Sequence, residues 1–197
     1  MDIPKFRFNF NSVYSLPFGR GKRFDTGNRI ANFLVSTWEL GAIYTWQTGQ
    51  FLTPSWTGPD PTGTRFTASS TAPSVTIRPN QLTDPNIDDP TPAMWFNPAA
   101  FAAPTAGFFG SSARGVIVGP NWNIFHATLV KYVSLGEHVR LKLAVTTSNV
   151  MNHPSYNNPA LNISTATTVA RITGVRGLGD IDKGQPRIFQ FTARLDW

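Results

Sequence analysis

The sequence predicts an all-β fold, an antiparallel meander of about five strands, and three observations carry that expectation. Apolar and polar residues alternate through five separate stretches of the chain. The intervening segments are dense in turn formers, with 16 Gly and 16 Pro among 197 residues. The connections also alternate in length along the chain, residues 17–33, 52–121, 134–138 and 152–186. Charged residues make up 14% and aromatics 13%, a profile of strands and turns with little material for long helices. No apolar run reaches the ~18 residues a transmembrane helix needs, which leaves open a crossing by strands. Cysteine is absent, excluding disulfides and thiolate metal sites.

The first stretch, Phe6 to Leu16, places Phe6, Phe8, Phe10, Tyr14 and Leu16 on one face, with Ser12 the exception. Arg7, Asn9, Asn11 and Ser15 take the other face, because successive strand side chains point in opposite directions. Leu16-Pro-Phe-Gly-Arg-Gly-Lys-Arg-Phe24 follows as a turn. Its glycines and cations lack the Walker spacing and a strand-to-helix context, so a phosphate loop is set aside.

The second stretch runs from about Leu34 to Phe51, with Trp38, Leu40, Ala42, Tyr44 and Trp46 on one face. Glu39, Gly41, Thr45 and Gln47 share the other with Ile43. Trp38 and Trp46 lie eight residues apart, as do Phe6 and Tyr14. Eight tilted residues climb about 20 Å, close to the ~25 Å apolar band between the aromatic girdles of a membrane barrel. Residues 52–121 are rich in Pro, Thr, Ser and Gly and read as one long loop. Asp84, Asp88 and Asp89 are weighed as a calcium site there, but the EF-hand pattern is absent and a hydrated loop is the simpler reading.

The third stretch, Trp122 to Val133, leaves its parity open; Phe125, Ala127 and Leu129 are the favoured apolar set. A tight turn over Ser134 to His138 leads into a fourth, with Val139, Leu141, Leu143 and Val145 set against Arg140, Lys142, Ala144 and Thr146. A second long excursion, 152–186, precedes the last stretch, Arg187 to Trp197. There Phe189, Phe191, Ala193, Leu195 and Trp197 alternate with Gln190, Thr192, Arg194 and Asp196. Eleven residues suffice for a tilted strand to cross the hydrocarbon of a bilayer, which takes about 9–11.

In an antiparallel meander, alternate connections lie at the same end, so the two long ones share one end and the two short ones the other. Outer-membrane barrels have this asymmetry, with short periplasmic turns and long extracellular loops. The expected architecture is part of a transmembrane β-barrel, with Arg140, Lys142, Gln190 and Arg194 facing the lumen and outer-membrane lipid on the apolar face. Phe189, Phe191, Leu195 and Trp197 are expected to act as an assembly signal, adding edge-on to the barrel-assembly machinery. The net charge of +6 is scattered rather than clustered, which argues against nucleic acid. His126, His138 and His153 sit on different segments without ligand spacing, and no nucleophile elbow occurs, so neither enzyme activity nor a cofactor is expected. A soluble β-rich binding or adhesion module, contacting glycan or protein through its long loops, is the alternative.

Several stretches resemble one known family. Leu16-Pro-Phe-Gly-Arg-Gly-Lys-Arg-Phe24, Trp38-Glu-Leu-Gly-Ala-Ile-Tyr-Thr-Trp-Gln-Thr-Gly-Gln50, Trp95-Phe-Asn-Pro-Ala-Ala-Phe101, Asn152-His-Pro154 and Gln190-Phe-Thr-Ala-Arg-Leu-Asp-Trp197 are similar to the C-terminal end of TonB-dependent outer-membrane receptors. The resembling type carries an N-terminal carboxypeptidase-regulatory-like domain. The resemblance implies a 22-strand barrel with an N-terminal plug, of which residues 1–197 would be the C-terminal segment. Plug, TonB box and signal peptide would then lie outside the sequence, and TonB would be reached through that missing region. The substrate, a glycan or a metal chelate, is not specified. The chain departs from the family at Thr146-Thr-Ser-Asn-Val-Met151, where members tend to carry a glutamate and two phenylalanines.

Overall fold

The computed structural model describes residues 3–63, 74–176 and 186–197. They divide into two compact units, one comprising Phe8–Trp46, Asn123–Ser155 and Arg176–Trp197, the other Met1–Arg7, Gln47–Trp122 and Tyr156–Val175.

The first unit is built on a five-stranded sheet: β1 (Arg7–Ser15), β2 (Trp38–Gln47), β3 (Trp122–Ser134), β4 (Arg140–Ser148) and β5 (Ile188–Asp196). The strands lie side by side in chain order, the meander expected from the alternation. β3/β4 and β4/β5 are antiparallel by register. Leu16 N–H donates to the Trp38 carbonyl at 2.8 Å and Thr48 N–H to that of Phe6 at 3.0 Å, so β1 and β2 also run oppositely. Tyr132 N–H meets the Thr37 carbonyl at 3.2 Å while the Tyr44 and Phe125 rings stand 6.5 Å apart, giving β2/β3 the same sense. Among the described residues β1 and β5 each pair on one side only, so the sheet is open.

Residues directly opposite in a ladder share a face. Leu129 faces Val145, which faces Phe191; Val133 faces Leu141, which faces Leu195. These columns settle the parity of β3 in favour of Phe125, Ala127 and Leu129. On the reverse face Tyr132, Lys142 and Arg194 form one column and Thr128, Thr146 and Gln190 another. Phe189, Phe191 and Leu195 stand exposed on the apolar face, Phe191 at 77%.

The β1–β2 connection holds a short helix, α1 (Arg29–Val35), where the sequence had suggested only a turn and the start of the second strand. Strand β2 consequently begins at Trp38, four residues after Leu34. Asn28 caps α1, its Oδ1 accepting from Ile30 N–H at 2.9 Å and Ala31 N–H at 3.2 Å.

The second unit corrects the reading of the long connections as hydrated loops. Leu52, Phe96, Ala100, Phe101, Ile117 and Ala170 form a buried cluster, with Trp95, Val116, Leu161, Ile163 and Val169 packed against it. Full burial of Leu52, Phe96 and Ile117 is worth about 1.5–3 kcal/mol each. Short antiparallel ladders frame this core: Phe51–Leu52 with Ile117–Val118, Trp56–Pro59 with Ser74–Ile77, Asn80–Gln81 with Phe101–Ala102, and Asn86–Thr91 with Met94–Phe96. The two excursions interlock through backbone bonds. Ser55 N–H donates to the Leu161 carbonyl at 3.0 Å, Ile163 N–H returns to that of Ser55 at 2.9 Å, and Trp95 N–H reaches that of Ala170 at 2.7 Å. Prolines suit such a unit because the short ladders leave many backbone positions outside a sheet. Residues 64–73 of the first excursion and 177–185 of the second lie outside the described residues.

Candidate functional site

The functional surface is the two-faced sheet itself, and its asymmetry follows from the strand period. Each strand contributes alternate side chains to each face, and antiparallel pairing keeps the files in step across the ladder. The apolar face gathers Phe8, Phe10 and Tyr14 from β1 with Leu40 and Tyr44 from β2. Across the next three strands it continues with Leu129, then Leu143 and Val145, then Phe189, Phe191 and Leu195. Rings bridge the strands on this face, Phe8 to Tyr44 at 6.3 Å between centroids. Large apolar side chains exposed on all five strands form the kind of contiguous apolar face that marks a membrane or partner contact.

The polar face brings together the three cations expected in the lumen. Lys142 lies directly opposite Arg194, and Arg140 opposite Asp196. The like charges are tempered locally: Arg194 Nε donates to Asp196 Oδ1 at 2.6 Å, and Lys142 Nζ stands 5.9 Å from the Tyr132 ring centroid. That ion pair is well exposed, so its worth in water is within about 1 kcal/mol. Gln190 sits opposite Thr146, whose hydroxyl accepts from Thr128 Oγ1 at 3.3 Å. Further along, Ser15 Oγ donates to Glu39 Oε1 at 3.3 Å. Phe189, Phe191 and Leu195 share the opposite face, and Trp197 follows the end of β5.

Sequence reasoning missed Lys131. It stands in the apolar file of β3, opposite Leu143, yet is only 8% exposed. Its ammonium donates to three carbonyls, Phe33 at 2.8 Å, Leu34 at 3.2 Å and Ser36 at 2.7 Å. The rings of Phe33 and Trp38 flank it, with centroids 5.7 and 5.1 Å away. A cation over the carbonyl end of a helix meets the partial negative charge there, so Lys131 closes the C-terminus of α1. The one available signal was the lysine interrupting the apolar set.

Two of the remaining candidates, His126 and His153, meet at Asn149. Asn149 N–H donates to His126 Nδ1 at 3.4 Å, while His153 N–H donates to Asn149 Oδ1 at 3.1 Å. Backbone and side-chain N–H groups of Asn86 engage Asp84 and hold its carboxyl below the usual range. Among the described residues no three His, Cys, Asp or Glu side chains gather as a metal-binding group. In the β1–β2 connection, Asp25 receives Gly27 N–H at 2.9 Å, Asn32 Nδ2 at 2.6 Å and Gly21 N–H at 3.3 Å. These donors, Gly27 foremost, lower its carboxyl from the ordinary value and tie the turn to α1.

Compared with known proteins, the chain matches no curated protein and no solved structure. The family model described as an outer membrane beta barrel domain matches residues 3–190, a span that takes in β1 to β4 and the start of β5. That family places the protein in the outer membrane, in accord with an open-faced apolar wall. With the sheet, its two faces and this match together, the chain belongs to the outer membrane β-barrel domain family.

Proposed function

We propose that the chain forms part of the β-barrel of a TonB-dependent outer-membrane receptor, with residues 1–197 as a segment of wall that other strands complete. The observation that carries this reading is the five-strand meander whose apolar face lies bare while its reverse face carries Arg140, Lys142, Gln190 and Arg194. The bare face meets lipid and the reverse face lines the lumen. Five strands fall short of the ~8 in the smallest bacterial barrels, so further strands must pair with β1 and β5. By the usual barrel orientation the short connections face the periplasm and the two long connections leave the strands at the extracellular end, where they contact substrate.

In this reading β5 is also the assembly signal. Its outer edge is unpaired among the described residues, and Phe189, Phe191 and Leu195 project from one side of it. The barrel-assembly machinery would take it by strand addition, with backbone bonds giving affinity and alternate side chains giving specificity. TonB would act through the plug region outside this sequence. The resemblance of the residue 16–24, 38–50 and 95–101 stretches to such receptors supports the transport role, and no residue of the site suggests catalysis.

An uptake assay tests the function, with a labelled oligosaccharide and a ferric chelate as the two probes. Accumulation of either probe should depend on both the gene and the proton-motive force. Gene-dependent accumulation that survives collapse of that force contradicts TonB-energised transport.

A further inference from the structure

The β1–β2 connection carries a surface the barrel reading does not use. Ile30, Phe33 and Leu34 occupy i, i+3 and i+4 of α1 and stand 74%, 55% and 59% exposed. Nearby, Phe18 and Phe24 are exposed too, their rings tilted to one another with centroids 5.4 Å apart. Interleaved with them are Arg20, Lys22, Arg23 and Arg29, against the single carboxylate Asp25. A seven-residue helix is too short to persist in water by itself, and little of α1 is buried to compensate. It is fastened at both ends instead, by Asn28 at its start and by Lys131 at its finish, with Trp38 Nε1 donating to the Leu34 carbonyl at 2.8 Å.

The fastening fixes where α1 lies. Lys131 shares the file of Leu143 and Ala193, so the side chain that holds the end of α1 leaves the sheet on its apolar face. Thr37, the corner residue between helix and strand, takes a left-handed φ of 60°, uncommon for a β-branched residue, and its hydroxyl donates to the Tyr132 carbonyl. The corner therefore turns the chain from β2 onto the lipid side of the wall.

We propose that α1 and the turn before it form an interfacial anchor, lying in the headgroup–acyl boundary of the periplasmic leaflet with phospholipid as its partner. The proposal rests on the barrel reading, in which this face meets lipid. Continuity with that face supplies the apolar boundary, and the four cations suit phosphate headgroups. Lys131 is its positioning residue.

The absence of cysteine from residues 1–197 allows a direct test with single-cysteine variants of the barrel as cells assemble it, extracted from outer membranes and reconstituted into vesicles of phosphatidylethanolamine and phosphatidylglycerol. Ile30→Cys and Leu34→Cys carry an environment-sensitive fluorophore; Phe191→Cys reports the wall, and Asn9→Cys the polar face. Lipids brominated at shallow acyl positions should quench the Ile30 and Leu34 labels severalfold more than the Asn9 label, and deep bromines should quench Phe191. Adding Lys131→Met should release the anchor and remove quenching at Ile30 while leaving Phe191 quenched. Quenching at Phe191 with none at Ile30 or Leu34 overturns the anchor and leaves the wall standing. No quenching at Phe191 overturns the wall reading itself.

Discussion

Phe191 and Thr192 are neighbours in sequence with opposite surroundings, because one strand residue reverses the direction of the side chain. Phe191 belongs to the column of Leu129 and Val145, whereas Thr192 faces Ala144 on the reverse side. An arginine on a lipid face near the midplane costs about 2–4 kcal/mol, while one facing an aqueous lumen costs little. Phe191→Arg is therefore expected to reduce insertion into the outer membrane of expressing cells, read as carbonate-resistant recovery, and Thr192→Arg to insert like the parent. Equal insertion of the two variants would mean that the faces are wrongly assigned. Lys131 shows how the same alternation can mislead: a cation in an apolar file is tolerated because three carbonyls and two rings replace its water. Gly19 is a second position fixed by its surroundings, since a Cβ there would come within 2.4 Å of the Ser36 Cβ.

At the scale of elements, the strands were legible because their signal is periodic and repeats five times. β1, β4 and β5 match their alternating stretches to within a residue or two. Only the parity of β3 stayed open, because Ile124 and Val130 lie in its polar file and Lys131 in its apolar one. Helix α1 escaped because its seven residues include five apolar ones, Ile30, Ala31, Phe33, Leu34 and Val35, a run too short and too uniformly apolar to show a helical period. Its connection should respond to acid. The lowered carboxyl of Asp25 means that its ties to Gly27, Asn32 and Gly21 contribute above the ordinary carboxylate range and fade as pH falls through the lowered value. Exposure to solvent keeps the effect small. Protection of the Gly21 and Gly27 amides, taken relative to their intrinsic exchange rates at each pH, should fall at that acid end, and Asp25→Asn should flatten the dependence. An unchanged profile in the variant would assign the response to another group.

At the scale of the molecule, the sheet leaves backbone groups of β1 and β5 unpaired on their outer sides among the described residues. Unpaired, apolar strand edges recruit one another, so the isolated 197-residue chain is expected to aggregate in detergent-free buffer. Light scattering decides the point, and a monodisperse detergent-free monomer would favour a soluble module. The long connections were the least legible part of the chain. Their core residues, Leu52, Phe96, Ile117 and Ala170, are far apart in sequence and follow no period, while the prolines between them read as loop.

That shared core makes the two excursions a single inheritable piece. Leu52 and Phe96 come from one and Ala170 from the other, so transplanting either alone onto a different barrel would strip the donor half of its packing partners. Variation in this unit is thereby confined to positions off the common cluster, and sequence change is left to its skin.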